Sequence, residues 1–228
     1  MQADPDVAMV ATLIGDPARA AMLAALLGGQ ALPAGELAAC ARISPQTASS
    51  HLAKLVAGGL LCVTTAGRHR YYQLQGSDVA AALEALAAIA PRARIHSLRE
   101  SEASRALRFA RTCYDHLAGV VGVAITQGLL DQGLLTADGH TYHVSSAGAG
   151  WFVRWGIDLG QLRQVRRSFA RPCLDWSERH YHLAGALGAA LARGLFERGW
   201  LVRVAGSRAV RLTEVGRVGL RKELQISV

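Results

Sequence analysis

An internal repeat in the C-terminal half places the strongest constraint on how this 228-residue chain folds. Residues 113–136 recur as residues 173–202, where a Leu-Ala-Gly core and three further glycines keep a constant offset of 66. The matched residues are Leu117, Ala118, Gly119, Gly122, Gly128 and Gly133 in one copy and Leu183, Ala184, Gly185, Gly188, Gly194 and Gly199 in the other. Because neither copy is large enough to bury a core alone, we expect two supersecondary units that pack against each other.

Each copy begins with a cysteine, but Cys113 and Cys173 are offset by 60, so the second copy holds six extra residues before its Leu-Ala-Gly. We expect Cys113 and His116 to share a helix face. Asp175 and Glu178 have capping-box spacing, which predicts a helix start near Cys173. Glycine pairs inside the two helices predict close helix–helix approach across a pseudo-twofold axis. That packing would bring the two thiols within disulfide or ligand reach.

Three interpretations of these residues stay open. They are core cysteines with surface histidines, a thiol pair that senses oxidants or electrophiles, or a soft-metal site whose spacing matches no standard zinc motif. A helix N-terminus would lower the pKa of a nearby thiol, which favours reactivity at Cys173. The candidate sensor residues are Cys113, His116, Cys173, His180 and His182.

The first ninety residues predict helices followed by a β-hairpin. Ser44 and Pro45 suit the N-cap and the first position of a helix that stops at Gly58-Gly59. Two short strands rich in Val, Thr and Tyr then surround a basic, glycine-containing turn. The predicted helices cover residues 5–14, 17–27, 34–41, 45–57 and 78–89.

The segments GELAACARIS, SPQTASSHLAKLVAGGLL and TTAGRHRYYQL, in this order, resemble the ArsR/SmtB family of winged helix-turn-helix repressors over residues 5–90. The resemblance implies that the helix from Pro45 enters the major groove of a double-stranded DNA operator and that the wing touches the backbone. It also implies a homodimer formed through the first and last helices. The implied DNA-binding residues are Ser44, Gln46, Thr47, Ser50, His51, Lys54, Arg68, His69 and Arg70.

The periodicity of this helix agrees with that role. Ala48, Leu52, Leu55 and Val56 form one apolar stripe, which leaves the opposite polar face to meet base edges. The alternative is an ordinary solvated helix face. Lys54 is the only cation of the helix, so phosphate affinity must come largely from the wing.

Two metal sites known in the resembled family are incomplete here. The helix before the recognition helix carries Cys40 alone, and the last helix carries Asp78 and Glu84 but no histidine. Cys40 and Cys62 have apolar neighbours, and we expect them to be buried small hydrophobic side chains.

The net charge of +8 is distributed unevenly. Residues 1–90 hold five Lys/Arg and six Asp/Glu, a net of −1, and residues 91–228 hold the other twenty and eleven, a net of +9. A basic patch would therefore place nucleic acid on the C-terminal half, in tension with the motifs. Residues 91–112 hold six Arg and two Glu, and we interpret them as a solvated connecting helix or as one that lies along the DNA backbone.

The fold class predicted is mainly α with small β-hairpins, an N-terminal winged helix plus a C-terminal domain of two winged-helix-like repeats. The predicted domains are a DNA-binding and dimerisation domain at 1–90, a basic linker helix at 91–112 and a regulatory domain at 113–228. With 51% hydrophobic residues, an acidic start and no long apolar run, we expect a cytoplasmic protein without a membrane segment. The four scattered cysteines are expected to be reduced.

The function predicted is sequence-specific repression, released by thiol oxidation, a soft metal or a small apolar ligand. All four tryptophans lie in the C-terminal half, where they form core or line a pocket for such a ligand. One alternative is an enzyme with Cys113 or Cys173 as nucleophile and His116 or His182 as base. A phosphate loop, a suitably spaced carboxylate pair and a zinc-hydrolase motif are missing from the sequence, so we expect neither enzyme nor cofactor. Another alternative is a protein-interaction module built on winged helices.

Overall fold

The computed structural model describes residues 4–91 and 98–228, which form two compact units, Met1–Leu83 and Glu84–Val228. The N-terminal elements follow the predicted order of helices and hairpin. They are α1 (Val7–Ile14), α2 (Pro17–Leu26), β1 (Leu32–Pro33), α3 (Ala34–Ala41), α4 (Pro45–Ala57), β2 (Leu61–Ala66), β3 (His69–Leu74) and α5 (Ser77–Ile89). The short strand β1, which the sequence pattern did not predict, completes an antiparallel sheet of order β1-β3-β2.

Local capping fixes where the helices of this unit begin. The Asp16 carboxylate accepts a hydrogen bond from the Arg19 backbone N–H at 2.9 Å, just before Pro17 opens α2. The Ser44 hydroxyl accepts from the Thr47 backbone N–H at 3.1 Å and starts α4 in the same way. These N-caps are short-range features, which is why the sequence predicted them correctly.

The two cysteines of this unit are less buried than predicted. Cys40 is exposed because the short helix α3 turns only Leu37 and Ala38 into the core. Cys62 is half-buried because side chains alternate along β2 and Leu61 takes the inward position. The expectation of two core thiols is therefore wrong.

The C-terminal unit repeats the order hairpin, helix, hairpin, helix. The first copy consists of β4 (Arg111–Cys113), β5 (His116–Ala118), α7 (Gly119–Asp131), β6 (Leu135–Asp138), β7 (Thr141–Val144) and α8 (Ser146–Arg154). The second consists of β8 (Arg171–Leu174), β9 (Tyr181–Ala184), α10 (Gly185–Glu197), β10 (Leu201–Arg203), β11 (Val210–Leu212) and α11 (Glu214–Leu224). Helix α6 (Leu98–Phe109) precedes the first copy, and α9 (Leu159–Gln164) lies between the two.

The predicted basic helix 91–112 agrees only in part with this order. Residues 92–97 lie outside the described residues. Helix α6 ends at Phe109, because Arg111–Cys113 pair with His116–Ala118 in an antiparallel hairpin. The end of the predicted helix is therefore a strand.

The cysteines lie on strands and not at helix starts, which corrects the prediction. Cys113 is the cross-strand neighbour of His116, and Cys173 is the cross-strand neighbour of His182. The six extra residues of the second copy lengthen the turn between Cys173 and His182. Asp175 begins this turn and accepts from the backbone N–H groups of Ser177 and Glu178, so the capping-box spacing belongs to a turn.

The two copies interlock through their backbones. The Val210 N–H donates to the Ala110 carbonyl at 3.0 Å, and the Tyr142 N–H donates to the Ala170 carbonyl at 3.3 Å. The start of each copy therefore bonds to the second hairpin of the other. Helix α7 packs on β9, and α10 packs on β5.

The repeated glycines allow close contact between a helix and a hairpin, and not between two helices as predicted. A Cβ at Gly122 would lie 2.6 Å from the Leu117 carbonyl oxygen, and a Cβ at Gly188 would lie 2.4 Å from that of Leu183. Each glycine thus lets a helix lie against its own hairpin, and the predicted helix–helix role is wrong. The core that results is shared by both copies and includes Trp151 and Trp155.

Within the described ranges, no single helix is long and apolar enough to cross a membrane; α1 and α2, bent by 90°, pass that test only as a pair, by length and composition.

Candidate functional site

Helix α4 presents a polar face to solvent. Ala48, Leu52 and Leu55 are buried, as predicted, and Val56 is half-buried. The exposed residues of the opposite face include Gln46, Thr47, Ser50 and Lys54. The Ser44 and Thr47 hydroxyls lie 2.8 Å apart, so both help to hold the first turn of the helix.

His51 differs from the other predicted DNA-binding residues. Its side chain is half-buried, and its Nδ1 lies 3.3 Å from Nη1 of Arg19. The buried Arg19 guanidinium also donates to the Thr12 and Leu13 carbonyls at the end of α1. His51 therefore joins α4 to the helices before it, and sequence reasoning missed the anchoring role of Arg19.

The wing, formed by β2, β3 and their turn, carries the predicted basic residues. Ala66 pairs with His69, so the turn consists of Gly67 and Arg68 alone. Gly67 has φ of +59°, a conformation that suits glycine in a two-residue hairpin turn. Arg68, His69 and Arg70 are exposed, and they line an open cleft of about 640 Å³ together with residues of α4.

A second candidate site lies inside the C-terminal unit. Cys113, His116, Cys173 and His182 each contribute one potential ligand atom, and these four atoms all lie within 4.8 Å of one another. We call these four residues the Cys-His cluster. All four side chains are buried, with the two sulfur atoms 4.0 Å apart. The predicted candidate His180 is exposed and lies outside the cluster.

Each histidine of the cluster faces a carboxylate. Nδ1 of His116 lies 3.3 Å from Oδ1 of Asp115, and Nδ1 of His182 lies 3.6 Å from Oδ2 of Asp175. The two rings are stacked, with centroids 5.1 Å apart. Nε2 of both rings is buried and, among the described residues, has no hydrogen-bond partner.

Arginines hold both carboxylates in place. Arg167 donates to Asp115 at 2.5 Å, and Arg111, which is fully buried, donates to Asp175 at 3.0 Å. Asp175 also accepts from the Gly119 backbone N–H at 2.6 Å. Burial opposes ionisation, yet these contacts lower the pKa of Asp115 to about 2 and hold the pKa of Asp175 well below its usual range.

The two thiols differ in acidity. The hydrogen bond between the sulfurs raises the pKa of Cys113 and lowers that of Cys173, and burial raises the pKa of Cys113 further. Burial disfavours a charged His116, but its contacts with Asp115 and Cys173 raise its pKa overall. The cluster can therefore hold a thiolate beside imidazole nitrogen, a donor set suited to a soft metal ion.

Sequence reasoning missed the role of the two carboxylates at this site, since it did not single out Asp115 and assigned Asp175 to a helix cap. A signal was available, because Asp115 and Asp175 keep the offset of 60 that relates Cys113 to Cys173. Their arginine partners had no such signal, since Arg111 and Arg167 come from different places in the two copies.

Comparisons with known proteins bear on the N-terminal unit and on the whole chain. A family model described as a helix-turn-helix domain matches residues 14–64. A curated relative, the uncharacterized HTH-type transcriptional regulator YdfF of Bacillus subtilis (strain 168), is 48% identical over 225 residues, which are 99% of this chain and 100% of the relative.

Solved structures are similar to part of this chain. Reduced HlyU from Vibrio cholerae N16961 is 26% identical, with 37% of this chain and 88% of HlyU covered at a TM-score of 0.34. The transcriptional repressor BigR from Xylella fastidiosa is 24% identical, with 39% and 89% covered at a TM-score of 0.36.

The chain thus matches an HTH-type transcriptional regulator over its full length and carries a helix-turn-helix domain, and the wing formed by β2 and β3 agrees with both. This chain belongs to the HTH-type transcriptional regulators, with an N-terminal winged helix-turn-helix.

Proposed function

We propose that this regulator is a sequence-specific repressor, and not an enzyme, that binds operator DNA as a homodimer in the cytoplasm. The observation that carries the proposal is the exposed polar face of α4 beside an exposed basic wing in one compact unit. A helix of this kind fits the major groove, and a wing beside it fits the flanking backbone.

The side chains of α4 suit contacts with bases, and those of the wing suit contacts with phosphates. Gln46 and Ser50 present amide and hydroxyl groups of the kind that read base edges. Lys54 is the only cation on the helix, so Arg68 and Arg70 supply most of the charge that positions the protein on phosphates. Contacts of both kinds are needed for specific binding.

Exposed apolar side chains support a second copy of this chain as the dimer partner. Helix α1 buries none of its residues, and Val7 and Met9 are 72% and 49% exposed. Helix α5 leaves Ile89 80% exposed. Large apolar side chains in such positions mark association surfaces, and a dimer would present two α4 helices to adjacent half-sites.

The effector is proposed to act on the C-terminal unit. The Cys-His cluster favours thiol oxidation or a soft metal over a small apolar ligand, because Trp151 and Trp155 stack within the core at a ring separation of 4.6 Å. Burial of all four cluster residues also supports the proposal that they do not act on a substrate. The effector would release the operator.

A mobility-shift titration tests this function. We expect dimers of the full chain to bind DNA from upstream of its own coding region 10³-fold or more tighter, to order of magnitude, than scrambled DNA of the same composition. A promoter–reporter fusion is expected to lose transcription when the chain is expressed. Equal affinity for both DNAs would contradict specificity, increased transcription would contradict repression, and a monomer in light scattering would contradict the dimer. If the chain captures another protein but no DNA, the alternative of a protein-interaction module built on winged helices would be favoured.

A further inference from the structure

We propose that the Cys-His cluster is a closed tetrahedral Zn²⁺ site to which each repeat contributes one cysteine and one histidine. The regulatory meaning of the site rests on the proposed function, but metal binding does not. The donor set is two sulfurs and two imidazole nitrogens, the combination typical of structural zinc.

The separation of the sulfurs agrees with this geometry. Two thiolates bound to one tetrahedral zinc at about 2.3 Å lie about 3.8 Å from each other. The observed distance between Sγ of Cys113 and Sγ of Cys173 is 4.0 Å, and the whole donor set spans no more than 4.8 Å. The two sulfurs need to approach by about 0.2 Å, and the most distant pair of donor atoms by roughly 1 Å, for all four atoms to bind one ion.

Unpartnered nitrogens point to a ligand at the same place. Nε2 of His116 and Nε2 of His182 are buried without a hydrogen-bond partner among the described residues. A buried polar atom without a partner is costly, and native structures rarely keep one without a reason. Because Nδ1 of His116 is within hydrogen-bond distance of Asp115, Nε2 is the nitrogen of His116 available to a metal. His182 has both ring nitrogens buried without a hydrogen-bond partner among the described residues, so either is available.

The carboxylates complete the pattern. Histidines that bind metal commonly donate their other N–H to a carboxylate, which fixes the ring orientation and makes the ligand more basic. Asp115 stands in this position toward His116, with its Oδ1 3.3 Å from Nδ1, and Arg167 orients Asp115. Asp175, which Arg111 orients, lies 3.6 Å from Nδ1 of His182 and forms no hydrogen bond with that ring. Each histidine thus has a carboxylate beside it that is held by an arginine, and the His116–Asp115 pair is the one at hydrogen-bond distance.

The charge of the site favours a divalent ion. Two thiolates and two neutral imidazoles around Zn²⁺ are neutral in sum, which suits a buried site far better than an isolated thiolate. On binding, the ion displaces the remaining thiol protons, which are released to solvent. With four protein ligands the zinc has no open position for water, so the site is structural or regulatory and not hydrolytic.

The test begins with the wild-type chain purified under reducing conditions from zinc-supplemented cells. We expect about one zinc per chain by elemental analysis, with two sulfur and two nitrogen neighbours by X-ray absorption. Cys113→Ser and His182→Ala are expected to purify without the metal. The matched controls Cys62→Ser and His180→Ala remove a cysteine and a histidine outside the cluster and are expected to keep it.

Several outcomes would overturn the proposal. Wild-type chain that neither carries zinc nor takes up added Zn²⁺ after reduction would mean core cysteines or a redox pair. A first shell other than two sulfurs and two nitrogens, or equal metal loss in the cluster and control variants, would place the metal elsewhere. If the cluster variants fail to fold, the X-ray absorption spectrum of the wild type still tests the proposal. Two sulfur and two nitrogen neighbours support it, and any other set of neighbours contradicts it.

The same preparation separates this inference from the proposed function. Zinc content is measured without DNA, and operator binding is measured on the same sample. A chain that holds zinc but binds no specific DNA contradicts only the repressor, whereas a chain that binds its operator without any metal affinity contradicts only the zinc site.

Discussion

The sulfur atoms of Cys113 and Cys173 lie 4.0 Å apart although 60 positions separate the two residues in the chain. A disulfide would require the sulfurs to approach to about 2.05 Å, whereas two sulfur ligands of one tetrahedral zinc need to approach only to about 3.8 Å. The neighbouring histidines and their carboxylates add two nitrogens in positions that a disulfide would not use. The arrangement thus favours metal binding over thiol oxidation.

Asp115→Asn is expected to weaken zinc binding without removing a ligand. The variant keeps the shape of the side chain but loses the charge that orients His116, and losses of this kind reduce metal affinity about 10–100-fold. Competition against a chromophoric chelator measures the change. Asp138→Asn is the matched control, because Asp138 lies 3.9 Å from His143 in an exposed pair outside the cluster. Equal affinities in the two variants would show that Asp115 has no such role.

Glu84→Gln is expected to reduce communication between the cluster and DNA binding. The Arg208 carbonyl accepts from the Thr112 backbone N–H at 2.9 Å, beside Cys113, and the Arg208 side chain donates to Glu84 of α5 at 2.5 Å. Zinc is expected to lower operator affinity by about 5–150-fold in the wild type, with operator DNA lowering zinc affinity equally. The variant should retain zinc, but its operator affinity should be nearly the same with and without zinc.

The control for this coupling lies on the same helix. Asp78 is exposed on α5, so Asp78→Asn should keep the full zinc-dependent change in operator affinity. A zinc effect that persists undiminished in Glu84→Gln would remove Glu84 from the route.

Gln46→Ala is expected to cost about 1–3 kcal/mol of binding free energy on the operator and little on random DNA, because a base reader acts only on its own sequence. Fluorescence anisotropy with both DNAs measures the difference. Gln127→Ala, an exposed glutamine of α7, is the control and should change neither affinity. Parallel losses on both DNAs would show that Gln46 is not a base reader.

Neutralising the wing with Arg68→Gln and Arg70→Gln together is expected to weaken operator and random DNA alike. Each phosphate contact contributes about one unit to the slope of log affinity against log salt, so the slope should fall by about two. The control replaces Arg221 and Lys222, two exposed cations of α11, by glutamine. An unchanged slope in the wing variant would place the phosphate contacts elsewhere, with residues 91–112 as the next candidates.

Gly119→Ala is expected to destabilise the fold far more than Gly133→Ala. Both glycines have positive φ, +82° and +64°, and alanine is strained by about 1–2 kcal/mol in this region. A Cβ at Gly119 would also lie 2.5 Å from the Arg108 carbonyl oxygen, whereas one at Gly133 would meet no atom within 4 Å. Urea unfolding measures both variants. Similar losses would mean that the backbone near Arg108 moves aside freely.

How much the sequence could predict depended on the range of the interactions. The starts of α2 and α4 were predictable because Asp16 and Ser44 cap the residues that follow them directly. The strands carrying Cys113 and His116 were mistaken for helix because they have three residues each, too few for a period to appear.

At the candidate site too, short-range features were predictable from the sequence and long-range contacts were not. The sequence named all four cluster residues, but it could not separate His182 from the exposed His180 two positions away. That choice is made by strand pairing, which places His182 opposite Cys173. The arginines behind the carboxylates act across 52 and 64 residues of chain, a distance at which local pattern contains no information.

The interlocked backbones of the two repeats have a consequence for when the cluster can assemble. Because each repeat supplies half of the ligands within one polypeptide, ligand assembly is an intramolecular event whose effective concentration is set by the chain itself. A site built from two identical single-repeat proteins would instead fall apart on dilution. Here all four ligands come from one chain, so each chain can complete its own ligand set without a partner.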